Sequence, residues 1–355
     1  MRYIGNKTKL LDFIRRVLRQ RNVRGGIALD PFSGTATVAR DLKRLGFAVF
    51  ASDIMEYAHV LAKAYVETVR EPDVSAAAQA IGAHGRDLRG LIRELNRLPA
   101  QPGFFTQEFS APLLGPTDAR RMYFTTENAA RIDAIRSLLN EWHAQNILAD
   151  DAYYLLLAAL IEAADRVANT TGVYAAYVKT WQPNARRPLE LQTPTILRGN
   201  SCHALRRDAV TQVAEAGAFD LLYLDPPYNA RQYAGYYHIP ELIALGWFES
   251  EPALRGKTGL LPDRDKRTDW SKRAKCERAL EALLASAQCK HIVMSYNAEG
   301  IIPEGTIERL MKEYGRRETY QKYRRRYRRY RSDADSETRR YSGDVVEEYL
   351  YCVDK

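Results

Sequence analysis

The stretch that decides the fold is Phe219-Asp220-Leu221-Leu222-Tyr223-Leu224-Asp225-Pro226-Pro227-Tyr228. It predicts a buried strand over residues 221–224 that stops at a carboxylate, because two consecutive prolines fix φ and carry no N–H. Asp225 and the Pro226 carbonyl are two acceptors that suit a substrate with two N–H donors, such as an exocyclic amine. Tyr228 adds a flat ring on which a base can stack. The alternative interpretation is a strand followed by a proline-rich turn whose aspartate caps a helix.

Two strand–turn–helix units precede this stretch. Residues 27–29 predict a short strand that ends at Asp30, and residues 47–51 predict a second strand that ends at Asp53. Further strands are predicted at 195–197, 219–224 and 291–295. Strands and helices that alternate at this spacing are typical of a parallel sheet with helices on both faces. The predicted fold class is therefore α/β, with a doubly wound, Rossmann-like sheet.

Helical patterns interrupt this alternation between residues 70 and 194. They cover residues 76–95, 126–142 and 150–167. We predict an inserted, mainly helical domain at 70–194 and a sheet domain formed by 1–69 and 195–355. The last segment, 316–352, alternates tyrosines with arginines and predicts a basic β-hairpin whose terminal strand returns to the edge of the sheet.

Composition indicates a soluble protein with an acidic partner. The chain has 355 residues, of which 46% are hydrophobic, enough for a sizeable core and a second domain. A net charge of +9 favours nucleic acid as the partner. Four scattered cysteines predict reduced thiols and a cytoplasmic location. The N-terminus lacks the apolar core of a signal peptide, and the most apolar run, 153–161, is too short to span a bilayer.

Asp30 and Asp53 each end a predicted strand and lie 23 residues apart. In dinucleotide-binding folds an acidic residue at the end of the second strand receives the ribose hydroxyls. The turn after Asp30 holds one glycine, Gly34, where a phosphate cradle needs several. This pattern favours an adenosine cofactor without a pyrophosphate, and S-adenosylmethionine fits that description. Helix capping by the two carboxylates is the alternative.

The chain resembles the alpha-class, Dam-type DNA adenine methyltransferases. The matching motifs, in the order typical of that family, are Tyr3-Ile4-Gly5-Asn6-Lys7, Asp30-Pro31-Phe32-Ser33-Gly34, Ser52-Asp53-Ile54 and Asp225-Pro226-Pro227-Tyr228. Relatives place their target-recognition domain between the second and the last strand-end motif, where the helical block lies here. They also carry an aspartate before the catalytic strand, where this chain has Asn200 and Ser201.

The resemblance implies a cofactor site for S-adenosylmethionine and no metal. The residues expected to form this site are Tyr3, Lys7, Asp30, Phe32, Gly34, Asp53, Asn200 and Asp225. Asn200 or Ser201 is expected to replace the aspartate of the relatives. The dispersed histidines likewise indicate no metal site.

Two elements are predicted to contact nucleic acid. Residues 316–331 contain eight arginines and one lysine against one glutamate, interleaved with tyrosines. This interleaving favours phosphate contact over a solvated charged surface. The predicted phosphate contacts are Arg324, Arg325, Arg326, Arg328 and Arg329. By resemblance, the element 169–174 lies near DNA through Asn169, together with Lys179; a helix end with a glycine cap is the alternative.

The resemblance implies methyl transfer to the exocyclic amine of adenine in a specific double-stranded DNA sequence. The two hydrogens of the amine are expected to bind Asp225 and the Pro226 carbonyl, while Tyr228 stacks on the flipped base. The alternatives are the same chemistry on RNA or on the exocyclic amine of cytosine, and a catalytically dead nucleic-acid-binding protein with this fold. The expected state is a monomer without membrane contact. A cognate restriction endonuclease is the genetic partner that the resemblance implies.

Overall fold

The structure is a computed structural model that describes residues 1–114, 121–230, 232–262, 266–328 and 345–355. The strands are β1 Gly26–Asp30, β2 Phe47–Asp53, β3 Ser110–Ala111, β4 Phe124–Thr125, β5 His203–Arg206, β6 Ala218–Leu224, β7 Gln288–Asn297, β8 Gln321–Arg328 and β9 Val345–Asp354. The α-helices are α1 Leu11–Gln20, α2 Thr37–Arg44, α3 Glu56–Ala62, α4 Ser75–Ala80, α5 Leu88–Leu95, α6 Phe104–Phe109, α7 Thr126–Ala144, α8 Asp150–Val167, α9 Ala209–Glu215, α10 Tyr233–Tyr236, α11 His238–Leu245, α12 Cys276–Ser286 and α13 Glu304–Tyr314.

The chain forms two compact units. The sheet unit comprises Gly5–Ala62, Gly199–Gln232 and Lys266–Lys355, and the helical unit comprises Met1–Ile4, Lys63–Arg198 and Tyr233–Asp265. Besides the predicted insertion at 70–194, the helical unit thus takes in residues 1–4, 63–69, 195–198 and 233–265. The last of these additions has a packing reason, since α11 packs on α8 and the Arg136 guanidinium of α7 donates to the Ile243 carbonyl at 2.7 Å.

The sheet unit contains a seven-stranded sheet in the order β5-β2-β1-β6-β7-β9-β8. Neighbouring strands from β5 to β7 are parallel, whereas β9 runs antiparallel to both β7 and β8. The predicted buried strand 221–224 lies in β6, where all four residues are 0% exposed. Strands covered on both faces need apolar side chains at successive positions, which is why this run carries no alternation. The predicted α/β, Rossmann-like class is confirmed.

Two strand predictions were wrong in detail. Residues 195–197 form no strand; instead β5 begins at His203 and pairs with β2 from Phe50 to Asp53. The terminal strand β9 does not lie at the sheet edge, because β8 pairs on its outer side and forms the edge. The long antiparallel register of β9 with β7, from His291 to Asn297, places the apolar terminal strand inside the sheet.

The helical unit has its own core, built on α7 and α8. The predicted buried helix over 153–161 lies within α8, whose residues there are mostly below 3% exposed. Asp133 of α7 accepts hydrogen bonds from the Gly103 and Thr106 amides at the start of α6, so the first turn of that helix is satisfied. In the part of the chain that the structure describes, no helix has both the length and the apolar character to cross a membrane.

Candidate active site

Three carboxylates lie together at the carboxyl-terminal ends of the parallel strands, either in the last residue of a strand or directly after it. Asp30 is the last residue of β1, Asp53 is the last residue of β2, and Asp225 follows β6 directly. The strand order reverses direction between β1 and β6. Ligands of open α/β sheets bind at such a switch point, outside the carboxyl ends of the strands. Asp30 and Asp225 flank the switch point of this sheet.

Asp30 is a buried carboxyl group, one oxygen of which has no hydrogen-bond partner among the described residues. The residue is 1% exposed, and that oxygen is Oδ1. Burial, together with the neighbouring charges of Asp225 and Asp53, raises the pKa of Asp30 to about 8. A cationic group placed here would stabilise the ionised carboxylate. The Asp30 carboxyl group therefore suits S-adenosylmethionine, whose sulfonium and ammonium groups are both cationic.

Asp53 shapes the turn that follows β1. Its Oδ2 accepts from the Gly34 amide at 3.0 Å, and its Oδ1 accepts from the Met55 amide at 3.0 Å near the start of α3. Gly34 adopts φ +49°, a left-handed conformation that glycine takes at no steric cost. Phe32 in the same turn packs edge-on against Trp270, with ring centroids 4.8 Å apart. The bond to Met55 has the geometry of the capping alternative, and a ribose contact by Asp53 stays a prediction.

A buried ion cluster is formed by Lys7, Asp225, Tyr228 and Glu348. Lys7 Nζ lies 2.9 Å from Asp225 Oδ1 and 3.1 Å from Glu348 Oε1. The Tyr228 hydroxyl accepts from Lys7 and lies 2.6 Å from Asp225 Oδ1. It also lies 2.9 Å from Glu348 Oε1, which further accepts from the Ser295 hydroxyl at 2.8 Å. All five residues belong to the sheet unit.

This cluster sets the charge state of Asp225. Burial raises the pKa of Asp225 to about 6, with the Lys7 ammonium opposing the rise and Glu348 adding to it. Burial also works against the charge of Lys7, but the two carboxylates raise the pKa of Lys7 above its ordinary value overall. The cation thus stays protonated, and Asp225 is ionised at neutral pH. Among the described residues, both bonds of Asp225 end on Oδ1 and none on Oδ2.

The Tyr228 ring, predicted to stack on a flipped base, is largely covered within the sheet unit, and the stacking contact stays a prediction. The residue is 8% exposed, and its ring meets Tyr296 edge-on at 5.2 Å. A Cβ built on Gly5 would lie 3.5 Å from this ring, so the chain also covers it from the N-terminal side. The ring is therefore not presented as an open stacking surface. The hydroxyl, which the sequence analysis left without a role, makes the charged contacts instead.

Asn200 does not lie with the other predicted cofactor residues. It precedes β5, and its amide donates at 2.6 Å to the carbonyl of Gly46, which precedes β2. Both positions lie at the amino-terminal ends of the parallel strands, whereas Asp30 and Asp53 lie at the carboxyl-terminal ends. The carboxylate that follows β5 is Asp208, whose Oδ1 caps α9 by accepting from two backbone amides. Sequence analysis missed Asp208 because it placed the strand too early.

Tyr3, also predicted to contact the cofactor, belongs to the helical unit. Its ring stacks on Tyr237 with centroids 4.6 Å apart and lies 5.7 Å from the ring of Tyr233. The Tyr237 hydroxyl accepts from the Ile4 amide at 2.7 Å and so fixes the start of the chain on the same unit. A cofactor contact by Tyr3 stays a prediction.

The predicted nucleic-acid contacts have different fates. Arg324 and Arg326 are exposed on the edge strand β8, Arg325 is half-buried there, and Arg326 Nε binds Glu347 at 2.5 Å. Arg328 ends β8, its side chain is not described, and Arg329 lies outside the described residues. Part of the charge of this strand is thus paired within the protein.

Asn169 is buried at 0% exposure, which contradicts a DNA contact. Its amide donates to the Met122 and Val178 carbonyls, and its oxygen accepts from the Gln182 amide. These bonds tie the segment after α8 to its own unit. The residue after the helix, Ala168, has an extended conformation and is not a glycine cap, so that form of the alternative is not confirmed. Lys179 is exposed, and its contact with DNA stays a prediction.

Glu348 and Ser295 are site residues that the sequence analysis missed. The available signal was a pair of acidic residues, Glu347 and Glu348, inside an otherwise apolar terminal strand. Burying a charge in such a strand requires a partner elsewhere in the fold. Among the residues that the structure describes, no group of three or more His, Cys, Asp and Glu side chains is arranged to hold a metal ion.

Comparison with known proteins identifies the family. Residues 3–310 match the model of the D12 class N6 adenine-specific DNA methyltransferases. Over its whole length the chain is 34% identical to the type II methyltransferase M.FokI of Planomicrobium okeanokoites and covers 53% of that protein. It is also 33% identical to the type II methyltransferase M.NlaIII of Neisseria lactamica, again over the whole chain, and covers 99% of it.

A third relative is the modification methylase StsI of Streptococcus sanguinis. It is 33% identical over 88% of the chain, which covers 46% of StsI. The chain therefore spans about half the length of M.FokI and StsI and nearly all of M.NlaIII. The predicted family is confirmed: the chain belongs to the D12 class N6 adenine-specific DNA methyltransferases.

Proposed function

We propose that this protein transfers a methyl group from S-adenosylmethionine to the exocyclic amine of adenine in a specific double-stranded DNA sequence. The observation that carries the proposal is Asp225. It lies at the switch point of the sheet and is ionised at neutral pH beside Lys7, and no described residue donates to its Oδ2. Such a group can accept a hydrogen bond from an amine and then a proton.

S-adenosylmethionine, the methyl donor that family membership implies, supplies a methyl group on a cationic sulfur. The residues that would hold it are Asp30, Asp53 and Phe32, at the ends of β1 and β2 and in the turn between them. We further propose that Asp208, rather than Asn200, is the carboxylate that follows β5 in this site. The buried carboxyl group of Asp30, which a neighbouring cation would stabilise in its ionised form, supports the binding of a cation.

The exocyclic nitrogen is a poor nucleophile because its lone pair is delocalised into the ring. Asp225 and the Pro226 carbonyl hold the two hydrogens of the amine, which orients the nitrogen for attack and stabilises the positive charge that develops on it. The bound methyl donor would supply the methyl group, with the electron pair of the C–S bond left on sulfur, and Asp225 would take the proton that the methylated amine gives up. The target atom lies inside the duplex, so the base must flip out.

We propose that residues 70–194 of the helical unit select the DNA sequence. This segment has its own core and holds none of the three strand-end carboxylates. The exposed Arg324 on β8, together with Arg325, Arg326, Arg328 and Arg329, is proposed to contact phosphates, which position a duplex without specifying its sequence. Lys179 is proposed as a further contact.

Two alternatives compete with this function: the same chemistry on cytosine or RNA, and a catalytically dead protein with this fold. Cytosine and RNA bases also present an exocyclic amine, but the family model names adenine in DNA. A dead enzyme would have no need for a compensated, ionised carboxylate at the switch point, so the ion cluster argues against that alternative. We propose that the protein acts as a cytoplasmic monomer in a restriction–modification system with a cognate endonuclease.

The decisive experiment is expression of the full chain in a host without adenine methylation. We expect N6-methyladenine in one sequence context, mapped by sequencing of genomic DNA, and no methylation by the Asp225→Ala variant. Methylated cytosine or methylated RNA would favour the first alternative. Binding of S-adenosylmethionine by calorimetry without any methylated product would favour the second.

A further inference from the structure

Glu348 is a buried acid that the proposed chemistry does not use. It lies in β9, opposite Asn297 of β7, and beyond the residues matched by the family model. The residue is buried, at 0% exposure, and its Oε2 has no hydrogen-bond partner among the described residues. Burying a carboxylate is unfavourable unless it is paired and hydrogen-bonded, so the place of Glu348 in the fold needs an explanation.

The charges of the ion cluster do not balance. One cation, Lys7, stands against two carboxylates at nearly equal distances, 2.9 Å to Asp225 and 3.1 Å to Glu348. The Tyr228 hydroxyl is shared in the same way, at 2.6 Å from the first carboxylate and 2.9 Å from the second. Lys7 and the Tyr228 hydroxyl, the two groups that bond to Asp225, are therefore both shared with Glu348.

We propose that Glu348 is a positioning residue for methyl transfer: by drawing Lys7 and the Tyr228 hydroxyl toward itself, it keeps Asp225 able to accept from the target amine. This inference rests on the proposed function. The Ser295 hydroxyl, which donates to Glu348 Oε1 at 2.8 Å, holds the carboxylate in this place. Without Glu348, Lys7 and Tyr228 would turn wholly to Asp225 and make it a weaker base.

The direction of the effect follows from the groups that face Asp225. Lys7 lowers the pKa of Asp225, whereas Glu348 raises it as a like charge. Asp30 of β1 and the Tyr223 hydroxyl of β6 also interact with Asp225, and both are unchanged by a substitution in β9. Removing the charge of Glu348 should therefore lower the pKa of Asp225.

The test is the Glu348→Gln variant of the full chain, compared with the wild type and with Glu313→Gln. Glu313 is exposed on α13 of the same unit and pairs with Arg309, so it controls for the loss of one acidic charge. The first measurement is the 13C NMR titration of the Asp225 carboxyl in the cofactor-free protein, identified by its absence in Asp225→Asn. The second is the pH profile of single-turnover methylation under saturating cofactor.

We expect Glu348→Gln to move the Asp225 titration, and the acid limb of the rate profile, down by roughly one pH unit. We also expect its plateau rate to fall by up to about tenfold, because the base is weaker. Glu348→Asp, which keeps the charge but places it one methylene farther from Lys7, should give a smaller shift in the same direction. An unchanged Asp225 titration in Glu348→Gln overturns the inference, as does a rate loss without a shift of the acid limb.

A folding defect would not hide the answer. If Glu348→Gln fails to fold, Glu348→Asp becomes the test variant, since it withdraws the carboxylate from Lys7 by one methylene. An Asp225 titration identical to that of the wild type in this variant then overturns the inference. The proposed function fails separately, when the wild type itself methylates no adenine, whereas the NMR titration needs no activity.

Discussion

Replacing Asp30 by asparagine should stabilise the cofactor-free protein, and more so at high pH. The substitution keeps the shape of the side chain and removes a charge that is 1% exposed and whose Oδ1 has no described partner. Folding imposes on Asp30 a pKa of about 8, against about 4 in an unfolded chain. The folded state therefore binds the proton more tightly than the unfolded state does.

The sign and size follow from proton linkage. Because the folded-state pKa is the higher one, the stability of the wild type falls as pH rises from about 4 to about 8, and the full cost is present above that range. One pKa unit corresponds to about 1.4 kcal/mol. The advantage of Asp30→Asn in the free energy of unfolding should therefore grow by roughly 3–5 kcal/mol between pH 5 and pH 9.

Urea unfolding at both pH values measures this advantage. Trp270 belongs to the sheet unit, while the other tryptophans, at 142, 181 and 247, belong to the helical unit, so 19F-labelled tryptophan reports the sheet unit separately. The control is Asp41→Asn, which removes an equally buried carboxylate that Arg15 pairs with, and should destabilise the unit. An Asp30→Asn advantage that is equal at the two pH values, or a loss of stability at pH 9, would refute the reasoning. The same variant should bind S-adenosylmethionine more weakly by calorimetry.

Three other outcomes are expected. Tyr228→Phe should lower the free energy of unfolding of the sheet unit by about 1.5–3 kcal/mol in urea unfolding, because the lost hydroxyl bonds charged groups. Tyr296→Phe, which loses bonds to neutral groups, should lower it by about 1 kcal/mol. Equal losses in the two variants would contradict this. Arg324→Gln should weaken binding to all DNA sequences alike and flatten the salt dependence by up to about 0.9, whereas Arg309→Gln on α13 should not. An unchanged slope for Arg324→Gln would assign β8 to a solvated surface. Exchange of residues 70–194 for those of a relative should change the methylated sequence, and an active chimera that modifies the original site would contradict the proposal.

The sequence determined the elements whose cause is local. An apolar run stopped by Asp225 and two prolines can only be a buried strand that ends there, and β6 ends at Leu224 as predicted. The strands ending at Asp30 and Asp53 were predictable for the same reason, and parallel strands bring their carboxyl ends to one edge. The order of these motifs was enough to predict the family.

Only the tertiary structure decided which residues, distant along the chain, meet at the carboxyl-terminal ends of these strands. Lys7, Tyr228 and Glu348 are separated by more than a hundred residues along the chain, and they meet because β9 inserts between β7 and β8. The apolar pattern of a strand predicts that the strand is buried, but it predicts neither the neighbouring strands nor the register with them. A register shift of one residue would turn the Glu348 side chain to the other face of the sheet. The position of β5 was missed for a related reason, since the short segment Thr195-Ile196-Leu197 matches a strand as well as 203–206 does. Pairing with β2 decided between them, and with it which end of the sheet Asn200 and Asp208 occupy.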